Sequence, residues 1–101
     1  MELDILTFSD AIESDTPVLV KFEASWCGPC KTYAPTFKQF ATENPDIKCY
    51  SVDCEKMTDV AAQFGIMSIP CTIVFKDGKD LIRKQGKLTL QEIKDLYDCK
   101  L

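Results

Sequence analysis

The chain has 101 residues, 46% hydrophobic and 28% charged, with a formal net charge of -4, which suits one domain over residues 1–101 built on one core. It carries no basic patch or arm, so nucleic acid is not an expected partner, and no apolar run approaches the roughly 20 residues that cross a bilayer, so neither is a membrane. Met1-Glu2-Leu3-Asp4 lacks the positive flank and apolar stretch of an export signal, and the cytoplasm, a reducing compartment, is the expected location.

Leu3 to Thr7 reads as a short edge strand. Thr7 or Ser9 is placed to cap a brief helix running to about Glu13, and Asp15-Thr16-Pro17 makes a turn. Val18 to Glu23 is β-branched and mostly apolar, the pattern of a buried central strand. A long helix follows from about Cys27 to Glu43, with Tyr33, Phe37, Phe40 and Ala41 on one face. Pro35 inside it removes one backbone donor and predicts a kink; Asn44-Pro45 ends it. Ile47 to Asp53 is a further strand. Met57, Val60, Ala61 and Phe64 repeat at helical spacing, and Gly65 supplies the stop. Thr72–Phe75 and Leu81 to about Arg83 are strands joined through Asp77-Gly78, a strong two-residue hairpin signal. Thr89-Leu90-Gln91-Glu92 has the form of a capping box and opens a last helix that buries Leu90, Ile93, Leu96 and Tyr97. The order is β-α-β-α-β-α-β-β-α. Alternating strands and helices imply parallel pairing with an antiparallel hairpin at one side, hence an α/β fold with one mixed five-stranded sheet flanked by four helices.

Six cysteines are present. Regular structure fills nearly the whole sequence, so a disulfide framework is not needed to hold it, and one close pair is expected to carry chemistry while the rest are free thiols. That pair is in Trp26-Cys27-Gly28-Pro29-Cys30, where a strand passes into the long helix. Positions three apart on a helix share a face, at a separation that a disulfide tolerates. Pro29 suits the first turn, where its missing N–H has no partner to lose, and Gly28 leaves Cys27 sterically open. Unpaired N–H groups and the helix dipole favour negative charge at this end, so Cys27 is the expected thiolate and Cys30, one turn deeper, the more shielded thiol. Thiolate Cys27 would attack a disulfide to give a mixed disulfide, and Cys30 would then attack the sulfur of Cys27. A nearby base should help to deprotonate Cys30. A zinc site would need a second ligand pair; there is no histidine and no second CxxC, and Cys49 and Cys54 lie along a strand, so no metal is expected.

The sequence resembles the thioredoxin family over its whole length. The residues that carry the likeness are Trp26 to Lys31, Ala34-Pro35, Phe22, Gly65 to Pro70, and Phe75 to Gly78. The resemblance implies the thioredoxin fold and protein-disulfide reductase activity through a Cys27–Cys30 disulfide, with Gly28 and Pro29 tuning the couple. It also implies a cis Pro70 beside the disulfide, and a client-binding rim of Trp26, Gly28, Ile66, Ile69 and Gly86, where an extended client segment can pair with backbone next to Pro70. It implies no bound cofactor, and electrons drawn from a thioredoxin reductase. Ribonucleotide reductase, peroxiredoxins and methionine sulfoxide reductases are the implied recipients, and a monomer is expected. A thiol oxidant or isomerase on the same fold, or a non-catalytic docking subunit, are the rival readings.

Two positions depart from the family pattern. Lys21 stands where the family usually has a buried aspartate thought to help deprotonate the second cysteine, and Cys49 stands where a lysine often partners that aspartate. Lys21 has three readings: a neutral base toward Cys30, a cation that favours the thiolates, or a partner of Glu23 on the same strand face. Glu23 is itself unusual at a position that is often aromatic. Cys71 replaces a usual threonine and reads as a small buried residue, with oxidative modification as the alternative. Among Cys49, Cys54 and Cys99, the last two are the ones expected nearer the surface.

Overall fold

A computed structural model describes residues 1–99; residues 100–101 of the expected domain lie outside the described residues. The elements run α1 (Phe8–Ile12), β1 (Val18–Glu23), α2 (Gly28–Glu43), β2 (Lys48–Asp53), α3 (Thr58–Gln63), β3 (Cys71–Lys76), β4 (Lys79–Gln85) and α4 (Leu90–Asp98). β1 matches its predicted bounds, and α2 passes through Pro35 as one element.

The strands lie in the order β2-β1-β3-β4. β1 pairs with β2 in parallel and with β3 antiparallel, and β3 pairs with β4 antiparallel. β1 is therefore central, which accounts for its nearly continuous apolar run: successive side chains must both be buried when both faces are covered. Val18, Val20 and Phe22 pack in a layer with Phe8, Ile12, Met57 and Val60 of α1, α3 and its flank. Leu19 and Val74 point the other way, into Tyr33, Phe37 and Phe40 of α2 and Ile93 and Leu96 of α4.

Among the described residues the sheet has four strands rather than the expected five. The predicted strand Leu3 to Thr7 is absent from the described residues; an isolated bridge, Glu2 to Ser51, lies just before it, held by Leu3 N–H donating to the Ser51 carbonyl at 2.8 Å and Ser51 N–H donating to the Met1 carbonyl at 2.9 Å. Asp4 stops it. Its Oδ1 accepts from the N–H groups of Leu6 and Thr7 and from the Thr7 hydroxyl, each at 3.0 Å, and this local turn competes with ladder pairing and wins. Thr7 occupies the N-cap position of α1 without making a side-chain cap, because its hydroxyl is bonded back to Asp4.

The two-residue hairpin is as predicted. Asp77 (φ 53°) and Gly78 (φ 78°) both take left-handed conformations, the combination that matches strand twist in such a turn. Their N–H groups donate to the Ser14 and Ile12 carbonyls at 2.9 and 2.8 Å, tying the hairpin to the end of α1. The capping box is complete: Glu92 N–H donates to Thr89 Oγ1 at 3.1 Å and Thr89 N–H to Glu92 Oε1 at 3.0 Å. Among the described residues, no helix is long and apolar enough to cross a membrane.

Candidate functional site: a paired dithiol at the start of α2

Central β1 ends at Glu23, and four residues carry the chain to the start of α2. Cys27 N–H donates to the Ala24 carbonyl at 3.2 Å, and Ser25 is tethered by its hydroxyl to Glu55 Oε1 at 2.8 Å. Cys27 is the N-cap of α2, with extended backbone, and its Sγ accepts from the Cys30 N–H at 3.2 Å. The sulfur thus takes the place that a serine or aspartate oxygen fills in an ordinary cap. Pro29 lies in the first turn, as expected. The Cys27 and Cys30 sulfurs are at bonding distance, with their α-carbons 5.3 Å apart.

Exposure separates the two cysteines in the expected order, but only slightly. Cys30 is 2% exposed and Cys27 only 5%; both lie in one cluster with Ala24, against which Ile69 packs. The asymmetry lies instead in position, since Cys27 caps the helix and Cys30 is inside its first turn. It lies also in the neighbours of Cys27: Trp26 is 68% exposed and Gly28 has open space where a β-carbon would sit.

The loop before β3 supplies the other side of the site. Ile69–Pro70 is a cis peptide bond, as the resemblance implied. The Ile69 carbonyl oxygen lies 3.8 Å from Cys27 Sγ; a disulfide sulfur has no proton to give it, while a reduced Cys27 thiol does. Gly86 N–H donates to the Pro70 carbonyl at 2.8 Å, so Gly86 at the end of β4 is brought beside Pro70. Ile66 is not part of the cysteine cluster and packs with the α1/α3 core layer instead. Met67, which the sequence gives no reason to single out within Gly65 to Pro70, is 92% exposed; it lies between Ile66 and Ser68, and no periodicity marks it out.

Lys21 is buried, at 5% exposure. Its Nζ donates to Glu23 Oε1 at 2.5 Å and lies 5.4 Å from the centre of the Phe37 ring. Of the three sequence readings of Lys21, the pairing with Glu23 is the one that the geometry displays. The two partners face different hollows. Glu23 shares a cavity of about 290 Å³ with Cys30, Lys31, Ala34 and Asp53. Lys21 lines a separate cavity of about 330 Å³ with Phe37, Lys38 and Cys49. Glu23 was legible in the sequence only as a partner for Lys21; its approach to Cys30 depends on how α2 lies over β1.

Behind the site, the Tyr33 and Thr72 hydroxyls share a hydrogen bond of 2.9 Å, and burial pushes the Tyr33 pKa up to about 12. Cys71 is buried, Cys49 and Cys54 are half-buried and Cys99 is exposed. Burial pushes the thiols of Cys49 and Cys54 up to about 11 and raises that of Cys71.

The Thioredoxin family model matches residues 1–98 of this chain. The chain belongs to the thioredoxin family. It is 42% identical over 95 residues to a thioredoxin of Alicyclobacillus acidocaldarius, covering 90% of each chain. It is 40% identical over 93 residues to a thioredoxin of Mycobacterium bovis, covering 87% of this chain and 80% of that one. A solved chain from work on the thiol resolving mechanism of yeast mitochondrial 1-Cys peroxiredoxin via glutathione/thioredoxin systems superposes with a TM-score of 0.85. It is 23% identical over 97% of this chain and 93% of that one, and so speaks for the fold alone. Thioredoxin-family proteins are disulfide oxidoreductases, and the Cys27–Cys30 pair is a thiol–disulfide redox dithiol.

Proposed function

We propose that residues 1–101 act as one thioredoxin domain that reduces protein disulfides, with Cys27 as nucleophile and Cys30 as resolving thiol. The observation that carries the assignment is the Cys30 N–H donating to Cys27 Sγ at the N-terminus of a 16-residue helix. An ordinary thiol, with a pKa of about 8.5, is only a few per cent ionised at neutral pH. A backbone donor and the helix dipole both favour the thiolate of Cys27 over its thiol. Cys27 attacks one sulfur of a client disulfide, forming a mixed disulfide and releasing the other client sulfur as thiolate. Cys30 then attacks Cys27 Sγ, the Cys27–Cys30 bond forms, and the second client sulfur leaves. Two electrons pass to the client, and a thioredoxin reductase returns them.

Trp26, Ile66, Ile69, Pro70 and Gly86 form the client contact in this reading. The exposed Trp26 supplies apolar area, and backbone at Ile69–Pro70 pairs with an extended segment, a short form of strand addition. Gly28 and Pro29 tune the couple, Gly28 by leaving Cys27 open to approach and Pro29 by fixing the first turn. Lys21 acts through Glu23 rather than as a free base. Clients of the ribonucleotide reductase, peroxiredoxin and methionine sulfoxide reductase classes, a cytoplasmic site of action, a monomeric state and a contribution to cell redox homeostasis complete the proposal.

Insulin reduction with NADPH and a thioredoxin reductase tests it. The chain should catalyse turnover, Cys27→Ser should abolish it, and Cys30→Ser should leave a trapped mixed disulfide. Turnover that persists in Cys27→Ser would rule the assignment out.

A further inference from the structure

The second half of the exchange sets a problem that the cysteines alone do not solve. Cys30 must lose its proton before it attacks, yet it is 2% exposed, and burial without a charge partner favours the neutral thiol. Some group must accept that proton within reach of the sulfur.

We infer that Glu23 is that proton acceptor, receiving the Cys30 proton through water in the cavity the two residues share, with Lys21 holding the carboxylate in place. This rests on the dithiol reading above. The cavity, at about 290 Å³, has room for several waters at roughly 30 Å³ each. Glu23 is on the same face of β1 as Leu19 and Lys21, the face that α2 covers. The charged and titratable groups around it are Lys21 on its own strand, Asp53 opposite it on β2, Lys31 on α2 in the same cavity, and Cys54, whose N–H donates to the Glu23 carbonyl at 2.8 Å.

Two observations favour Glu23 over Lys21, and Asp53 is the alternative that the experiment below separates. Lys21 lines the other cavity, and its Nζ already donates to Glu23, so it is not the group facing Cys30. A carboxylate is an acceptor with two oxygens; Oε1 of Glu23 binds Lys21, which leaves Oε2 to accept from water in the cavity that Glu23 and Cys30 both line. Asp53 is in the same cavity; its Oδ1 accepts the Glu55 N–H at 2.8 Å, in the turn that ends β2, and its Oδ2 is an acceptor as well.

The step balances. The Cys30 S–H proton passes through water to the Glu23 carboxylate, and the Cys30 thiolate attacks Cys27 Sγ. The Cys27–Cys30 bond forms as the Cys27–client bond breaks. The departing client thiolate takes up a proton, and Glu23 returns its own to solvent through the cavity.

Rapid-quench mass spectrometry separates the two halves. The reduced protein is mixed with a peptide dimer joined by one disulfide, acid-quenched and mapped, so that the Cys27–peptide adduct is followed as it forms and decays. In Glu23→Gln, adduct formation should be unchanged. Adduct decay should slow by about 10²-fold, the ordinary contribution of a positioned base, and a slowing of less than about threefold overturns the inference. The decay rate of the wild type should carry a carboxylate limb in its pH profile that Glu23→Gln loses and Glu23→Asp retains; a limb that survives in Glu23→Gln also overturns it. Slower decay in Asp53→Asn with unchanged decay in Glu23→Gln would assign the proton to Asp53 and overturn it as well. A wild type that forms no adduct at Cys27 would instead overturn the dithiol reading itself, a result that no Glu23 variant can produce.

Discussion

Cys27 differs from the other cysteines by its backbone surroundings more than by exposure, which has a direct consequence for reactivity. Cys49 and Cys54 have thiols pushed up to about 11 by burial, and Cys71 is raised for the same reason, so at pH 7.5 almost none of these is thiolate. Iodoacetamide labelling of the reduced protein, followed by peptide mapping, should modify Cys27 well before any of those three. Labelling of Cys71 ahead of Cys27 would show that the helix terminus does not govern thiol chemistry here. The Tyr33–Thr72 hydrogen bond makes a second residue-level case. Both groups are buried, so Tyr33→Phe leaves the Thr72 hydroxyl without this partner. Its cost should be about 1–2 kcal/mol in urea unfolding.

At the scale of elements, the two ends of the chain illustrate opposite outcomes of local hydrogen bonding. The Thr89–Glu92 capping box was readable from four residues, because all its partners lie within one turn. Thr89→Ala should lower stability by about 1 kcal/mol, read as a shift in the urea midpoint with unchanged slope. The hydrogen bonds from Thr89 hold the Glu92 carboxyl below its usual range. A carboxylate with a depressed folded-state pKa stabilises the protein above its unfolded value, and the contribution is lost as pH falls through the folded one. The Thr89→Ala penalty should therefore shrink below about pH 4. At the other end, Asp4 diverts the chain into a turn before a strand can form. Residues 3–7 look like a strand by apolarity, and the competing hydrogen bonds of one carboxylate decide otherwise. Gly78 belongs to this scale too. With φ 78°, a β-carbon there would also meet Glu13 Oε1 at 2.6 Å. Gly78→Ala should cost about 1–2 kcal/mol, whereas a side chain at Gly28, with open space around it, should leave stability much less changed in the same measurement.

For the molecule as a whole, the buried titratable groups set how stability depends on pH at the alkaline end. Burial raises Cys49 and Cys54 from the ordinary thiol value to about 11, and Tyr33 from the ordinary phenol value to about 12. Between each pair of values the unfolded chain has lost the proton and the folded chain has kept it, so the slope of stability with pH is negative. Thermal melts of the reduced protein should show Tm falling from about pH 8.5 toward pH 12. Cys49→Ala should flatten the early part of that fall, and an unchanged profile would show that Cys49 does not keep its proton in the folded state.

What the sequence determined by itself is whatever short-range chemistry dictates. The cysteine spacing at a strand-to-helix junction, the Asp77-Gly78 turn, the capping box and the apolar run of β1 each follow from residues that touch neighbours in the chain, and together they established the fold class and the dithiol. Tertiary structure alone decided the rest. It buried Cys27 nearly as deeply as Cys30, in one cluster with Ala24 against which Ile69 packs. It set the Ile69 carbonyl beside Cys27, from 42 residues away in the chain. It also brought Glu23 and Cys30 to the walls of one cavity. These outcomes depend on how helices seat on a twisted sheet, and the packing of α2 over β1 is a sum over many distant contacts that no local pattern encodes.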